Sequence, residues 1–224
     1  MKLELGIEIS HETIDGYIWA DKKSGGRIYK FLRTKGKKYQ SRGVSKDRRG
    51  QIKNAVRLKI VDEKSRIGDW EIDTVIEKNH KQALVAIVER KSKFSLMRKG
   101  ENKTAELVAT ATIELLRPDK DRVLTLTADR GKEFACQEKV AKALECDYYF
   151  APPYSCWQPG LNENTNGLIR QFLPKKSRFE EVTERSVKRV KGLLNRRPRK
   201  SLGYEMPTEL FFGKSLGANF AFQS

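Results

Sequence analysis

The sequence lacks a long hydrophobic run, a disulfide framework and a histidine-rich motif. Its apolar stretches, such as Ala83 to Val88, are far shorter than the ~20 residues of a membrane-spanning helix. Its first residues have no signal-peptide pattern, so we predict a cytoplasmic protein. The 3 cysteines include no C-x-x-C pair that would predict a zinc site. With only 2 histidines, metal chemistry would rest on carboxylates, which favour a hard ion.

Basic residues are abundant and unevenly distributed. The formal net charge is +17. Residues 21–66 contain 17 Lys and Arg against 4 Asp and Glu, a surplus of 13, whereas residues 67–224 contain 28 against 21, a surplus of 7. Such a basic segment favours a polyanion, because neutralised phosphates release their counterions. We therefore predict a nucleic-acid partner, with a solubilising linker as the alternative.

Hydrophobic periodicity divides the chain into four parts. Residues 1–20 form a short amphipathic piece with a helix start at Ser10. Residues 21–66 are a Gly- and Lys-rich basic linker, residues 67–215 are the folded core, and residues 216–224 are a tail.

The core pattern predicts five strands followed or separated by helices. The strands are predicted at 70–76, 83–88, 94–97, 123–127 and 148–150, and the helices at 105–116, 134–144, 162–173 and 183–195. Short polar turns favour antiparallel pairing of the first three strands, whereas the later strands alternate with helices and should be parallel. The predicted fold class is α/β: a ribonuclease-H-like mixed five-stranded sheet with flanking helices, plus a basic N-terminal arm.

Three acidic residues lie where a sheet could gather catalytic carboxylates. Asp73 lies inside the first predicted strand, where an acid is costly unless it is paired or metal-bound. Asp129 directly follows the fourth strand, and Glu163 lies in the first turn of a helix that Asn162 could cap. Each acid alone also fits a simpler interpretation. Asp73 could face water at an edge position, Asp129 could be a turn residue, and Glu163 could interact favourably with the helix dipole. Together they could hold a pair of Mg²⁺ ions for phosphodiester chemistry.

These acids lie in distinctive sequence blocks. The blocks are Trp70-Glu71-x-Asp73, Asp129-x-Gly131-Lys132-Glu133-Phe134 and Asn162-Glu163-Asn164-Thr165-Asn166-Gly167, with Asn195-Arg196-Arg197-Pro198 in the C-terminal segment. These blocks closely resemble those of the insertion-sequence-thirty family of transposases, whose core is a DDE integrase-type catalytic domain. The resemblance covers nearly the whole chain.

The resemblance implies a DNA transposase that cleaves and transfers strands of an insertion sequence during DNA transposition and integration. Asp73, Asp129 and Glu163 would be the catalytic triad and the metal ligands, with two Mg²⁺ ions expected and Mn²⁺ as a substitute. The partners would be double-stranded DNA, as terminal inverted repeats and target, and further copies in a homo-oligomer on DNA, without a membrane. We predict DNA contacts for a polar and basic set: Asn166, Arg170, Lys175, Lys176 and Arg178.

Two of the departures from the family pattern bear on the activity of this chain. The family usually carries an entire helix-turn-helix region, so we interpret residues 1–20 as its remnant and the chain as N-terminally truncated. Arg130 stands where Asn usually follows the second acid, and its cation could compete with Mg²⁺ for Asp129. The alternative hypothesis is therefore a catalytically impaired truncated copy that acts only as a DNA-binding remnant.

Overall fold

The chain divides into two compact units, Met1–Arg49 and Gly50–Ser224. The computed structural model describes residues 9–32, 66–76, 82–100, 102, 104–151, 160–174, 177 and 179–213. In the first unit, helix α1 (His11–Lys23) begins as predicted, because Ser10 Oγ accepts a hydrogen bond from Thr13 N at 3.2 Å. A short 3-10 turn, Ile28–Phe31, follows it.

The second unit contains a mixed five-stranded sheet. Its strands are β1 (Asp69–Ile76), β2 (Ala83–Glu89), β3 (Ser95–Gly100), β4 (Thr125–Ala128) and β5 (Asp147–Phe150), in the spatial order β3-β2-β1-β4-β5. The β1–β2 and β2–β3 pairs are antiparallel, whereas the β1–β4 and β4–β5 pairs are parallel. The predicted change from hairpin-connected to helix-connected strands is confirmed.

Helices lie on both sides of this sheet. They are α2 (Ala105–Leu116), α3 (Gln137–Leu144), α4 (Gly160–Phe172), α5 (Glu184–Asn195) and α6 (Pro207–Phe212). Thr104 caps α2 as predicted, with its Oγ1 accepting from Leu107 N at 3.4 Å. None of the helices in the described ranges is both long and apolar enough to cross a bilayer.

Two predicted helix starts were wrong. The helix predicted from residue 134 begins only at Gln137, because a separate 3-10 turn, Lys132–Phe134, first carries the chain away from β4. Asn162 does not cap α4, which already begins at Gly160. Its side-chain amide lies inside the helix and donates to the Ile72 carbonyl at 3.4 Å.

Each face of the sheet packs against a different helix pair, because alternate strand residues point to opposite faces. On one face, Trp70 and Ile72 of β1 share an apolar cluster with α2 and α3. We call this the α2–α3 face. On the other, the α4–α5 face, Val75 of β1 and Leu84 of β2 share a second cluster with α4 and α5.

The segment after α5 contains a helix, α6, that the sequence analysis did not predict within the folded core. Pro207 begins α6 rather than ending the structure, because a first helical residue needs no hydrogen-bonded N–H. Phe211 stacks on Phe94 with ring centroids 4.5 Å apart and meets Trp70 edge-on at 5.4 Å. The predicted boundaries at residues 20, 66 and 215 stay predictions.

Candidate active site

Asp73 and Asp129 lie side by side, at the point where the parallel pairing of β1 with β4 ends. Ile72 of β1 pairs with Ala128 of the parallel strand β4, and the two acids are the next residues along their chains. The turn after β4 is held by a hydrogen bond from Gly131 N to Asp129 Oδ1 at 2.9 Å. Since ligands in α/β sheets collect at the carboxyl ends of parallel strands, these two acids occupy a favourable position for chemistry.

The Asp73 carboxylate is half-buried and receives two hydrogen bonds. Thr74 N donates to Oδ1 at 2.7 Å, and Asn166 Nδ2 donates to Oδ2 at 2.6 Å. Burial is the main cause that raises the pKa of Asp73 to about 6, and repulsion from Asp129 and Glu133 adds to it. The two hydrogen bonds stabilise the carboxylate and partly oppose this rise.

Three acids occupy alternate positions of β1 and therefore point to the α4–α5 face. Asp69 is fully buried and receives two hydrogen bonds from Arg66, both at 3.0 Å. Glu71 is 2% exposed and accepts from Arg90 Nε at 2.7 Å. Asp73 has only neutral donors within the part of the chain that the structure describes. Two of the three charges are thus balanced by arginine, and the third is available to an external cation.

Helix α4 docks on β1 through polar side chains spaced four residues apart. Residues at this spacing share one helix face, so their contacts fix both the rotation and the register of α4. Asn162, Asn166 and Arg170 donate, in that order, to the Ile72 carbonyl, the Asp73 carboxylate and the Ile76 carbonyl.

Glu163 lies on the exposed side of α4, three residues before Asn166 and so about one turn from the contact with Asp73. Across the described ranges, no three His, Cys, Asp or Glu side chains are arranged to hold one metal ion. The fold therefore brings together Asp73 and Asp129 and places the Glu163 helix against β1. Closure of all three acids around one ion stays a prediction.

Sequence comparison relates the chain to mobile-element proteins, although no protein-family model matches it. The transposase of insertion sequence IS4351 from Bacteroides fragilis is 47% identical over 207 residues, which are 91% of this chain and 64% of that protein. The transposase of IS1086 from Cupriavidus metallidurans is 33% identical over 211 residues, 91% and 62% respectively. The chain is a homologue of insertion-sequence transposases. It spans less than two thirds of these two relatives' lengths.

The resemblance to the insertion-sequence-thirty family is confirmed. The transposase of IS30C from Escherichia coli is 35% identical over 155 residues, 69% of this chain and 40% of that protein. The catalytic core of BIV integrase shares the fold with a TM-score of 0.53 and 22% identity, covering 66% of this chain and 95% of that one. A simian T-cell lymphotropic virus intasome matches with a TM-score of 0.55 and 17% sequence identity, over 80% of this chain and 66% of that chain. The predicted ribonuclease-H-like fold is confirmed.

The residues predicted to contact DNA have different outcomes. Asn166 and Arg170 are described, and their side chains bind β1 instead of projecting freely from the protein. Lys175, Lys176 and Arg178 lie outside the described residues. Contact of these five residues with DNA stays a prediction.

Glu133 is an acid of this site that is not among the site residues predicted from the sequence. Its Oε1 accepts a hydrogen bond from Thr74 Oγ1 at 3.2 Å, and its charge helps to raise the pKa of Asp73. A Cβ at position 131 would lie 2.5 Å from Glu133 Oε2, so Gly131 permits this close approach. The available signal was the spacing of four residues from Asp129, which a tight turn brings back to the strand end.

Proposed function

We propose that this chain contains the catalytic core of an insertion-sequence transposase, which cleaves DNA strands at the ends of an element and joins them to target DNA. The observation that carries the proposal is the pair Asp73 and Asp129, which directly follow the last paired residues of the parallel strands β1 and β4, where Asp73 lacks a described cationic partner. Homology to insertion-sequence transposases supports it.

The donor set fits a divalent metal ion. Its atoms are carboxylate oxygens, which are the preferred ligands of hard cations. Repulsion between Asp73 and Asp129 would be relieved by a cation, and the buried Asn166 Oδ1 accepts no hydrogen bond from the described protein. DDE transposases and integrases generally depend on a divalent metal. We propose Mg²⁺, as two ions replaceable by Mn²⁺, held by Asp73, Asp129 and Glu163.

When bound, such ions activate the attacking oxygen and stabilise the leaving one. The protein's own residues supply orientation. Asn166 and the Thr74 amide hold the two oxygens of Asp73, while the contacts of Asn162 and Arg170 with β1 hold the helix that carries Glu163. We propose that double-stranded DNA, both as element end and as target, is the substrate, and that a homo-oligomer assembles on it.

The test uses the purified chain, Mg²⁺ and a labelled duplex that carries an element end with a free 3′-hydroxyl. We expect joining to a second duplex, and we expect Asp73→Asn and Glu163→Gln each to lower the rate by at least about 100-fold. Glu138→Gln changes an exposed acid of α3 and serves as the matched control, with unchanged activity expected. Retained activity in Glu163→Gln would exclude this acid from the triad.

Arg130→Asn separates the alternative hypothesis from the main one. If the chain itself is inactive and Arg130→Asn joins DNA, the chain is the catalytically impaired copy and retains only DNA binding. If both proteins are active to a similar extent, Arg130 does not compete with the metal at Asp129.

A further inference from the structure

Basic charge in the folded core is concentrated on α5 and the residues that follow it. Residues 184–200 contain eight Lys and Arg against one Glu, a net charge of +7. Residues 105–145, which include α2 and α3, contain seven basic against eight acidic residues, a net charge of −1. The excess therefore belongs to one side of the core and is not spread over its surface.

Three of the four cations of α5, together with Arg196 at its C-cap, lie on one face of the helix. Val187, Val190 and Leu194 are buried on the side that packs in the core. The opposite side is an arc of residues spaced three or four apart, which share a helix face. We call this arc the α5 basic stripe: Arg185, Lys188, Arg189, Gly192 and Arg196.

The stripe cations are exposed, and none of them forms an ion pair with an acid among the residues whose positions are described. The α2–α3 side differs. There, Lys120 pairs with Glu145 at 2.6 Å, and Lys139 pairs with Glu106. Charge is thus neutralised locally on one side and left uncompensated on the other, which creates a positive potential over α5.

Gly192 lies in the middle of the stripe without a packing reason. A Cβ built there meets no atom within 4 Å. Glycine inside a helix destabilises it relative to alanine, so the fold alone would favour a side chain at this position. The missing side chain leaves the helix backbone open between flanking cations, which lets a partner approach closely.

The dimensions of the stripe suit a nucleic-acid backbone. From position 185 to 196 a helix rises about 16 Å, and over that length duplex DNA presents about ten phosphate charges. A membrane surface fits less well, because an interfacial helix needs an exposed apolar face. The apolar face of α5 is instead buried in the cluster it shares with α4, the helix that carries Glu163.

We propose that the α5 basic stripe binds the sugar-phosphate backbone of duplex DNA beside the Glu163 helix. This surface lies outside the contacts predicted from the sequence, and its assignment to DNA rests on the proposed function. Arg185, Lys188, Arg189 and Arg196 each neutralise phosphate charge, while Gly192 provides the space for close approach. Binding here is independent of base sequence, because no base-reading group is involved.

The test measures binding of the full 224-residue chain to a duplex in EDTA as a function of KCl concentration. The slope of log K against log salt is negative, and each phosphate contact contributes about 0.9 to its magnitude. Replacing Arg185, Lys188, Arg189 and Arg196 with Gln should therefore reduce that magnitude by about 3 to 4. The matched control replaces Arg117, Lys120, Lys139 and Lys142 with Gln. It removes the same charge from the α2–α3 side and should change the slope by less than about 1.

A second pair of variants tests the position of Gly192. Gly192→Glu should lower the magnitude of the slope by about 1, because it adds a negative charge, whereas Gly192→Ala should leave the slope unchanged and weaken binding only through the bulk of its methyl group. Equal slopes for the stripe variant and its control, or an unchanged stripe variant, would overturn the proposal. So would loss of binding to phosphatidylserine vesicles in the stripe variant without loss of DNA binding.

The EDTA condition separates this surface from the proposed chemistry. Without Mg²⁺ the proposed joining step cannot occur, so the measured slopes report DNA binding alone. If the unmodified chain joins no DNA with Mg²⁺ but the stripe variant still loses salt dependence, the proposed catalysis fails and the DNA surface stands.

Discussion

On the α2–α3 face, Trp70 of β1 is fully buried and packs edge-on against Phe211. On the α4–α5 face, the same strand presents Asp69, Glu71 and Asp73 at alternate positions. A central strand covered on both faces normally carries apolar residues on both. In β1 only one face follows this rule, and the other has a row of acids.

The difference between the faces separates stability from chemistry. Apolar packing on the α2–α3 face stabilises the fold through burial, and Lys120 and Lys139 on that side are paired with Glu145 and Glu106. On the α4–α5 face, buried charges need arginine partners, α4 docks through hydrogen bonds, and the α5 basic stripe is uncompensated. Polar groups are costly inside a protein, so their concentration on one face marks the functional side.

The largest effect is expected from Trp70→Ala. It removes a fully buried indole and its hydrogen bond to the Arg122 carbonyl at 2.8 Å, and should lower the free energy of unfolding by about 4 kcal/mol. Urea denaturation measures this loss. Trp19→Ala, at a 41% exposed tryptophan of α1, should cost less than about 1 kcal/mol. A similar cost for both would contradict a structural role of the α2–α3 face.

Glu71→Ala should destabilise the protein by about 3 kcal/mol, because it removes the carboxylate that pairs with buried Arg90. The double variant Glu71→Met, Arg90→Met should recover most of this loss, since it removes both charges and fills the space. Urea denaturation of the two proteins measures the difference. If the double variant is as unstable as the single one, the ion pair contributes stability that two buried methionine side chains do not replace.

Asp73→Asn should stabilise the metal-free protein at alkaline pH. Burial raises the pKa of Asp73 from 3.8 to about 6, so ionisation costs stability as pH rises through this window. Above pH 6 the variant should gain up to about 3 kcal/mol, and below pH 4 it should gain nothing. Urea denaturation in EDTA at pH 4 and pH 8 measures both values. A gain that is the same at both pH values would exclude ionisation as its cause.

The smallest effect is expected from Gly192→Ala, which should raise the free energy of unfolding by about 1 kcal/mol, because alanine favours a helix interior. Thermal denaturation provides the measurement. A loss of stability would show that Gly192 has a packing role and would weaken its assignment to a binding surface.

The sequence predicted the strands and most helices well, because both depend on local periodicity and on chain order. The strand positions, the Thr104 cap and the change from antiparallel to parallel pairing agree with the structure. Helix α6 was missed, because Pro207 and its neighbours give a weak local signal and Phe211 is buried only by contacts with Trp70 and Phe94.

For the candidate site, the sequence by itself determined which acids end or interrupt the strands, since those positions follow from the pattern of a single segment. Only the tertiary structure decided that Asp73 lies beside Asp129 and Glu133, that Asn166 binds Asp73, and that Glu71 has the arginine partner Arg90. These contacts join residues from separate segments. Their distances depend on how strands and helices pack, which no local pattern encodes.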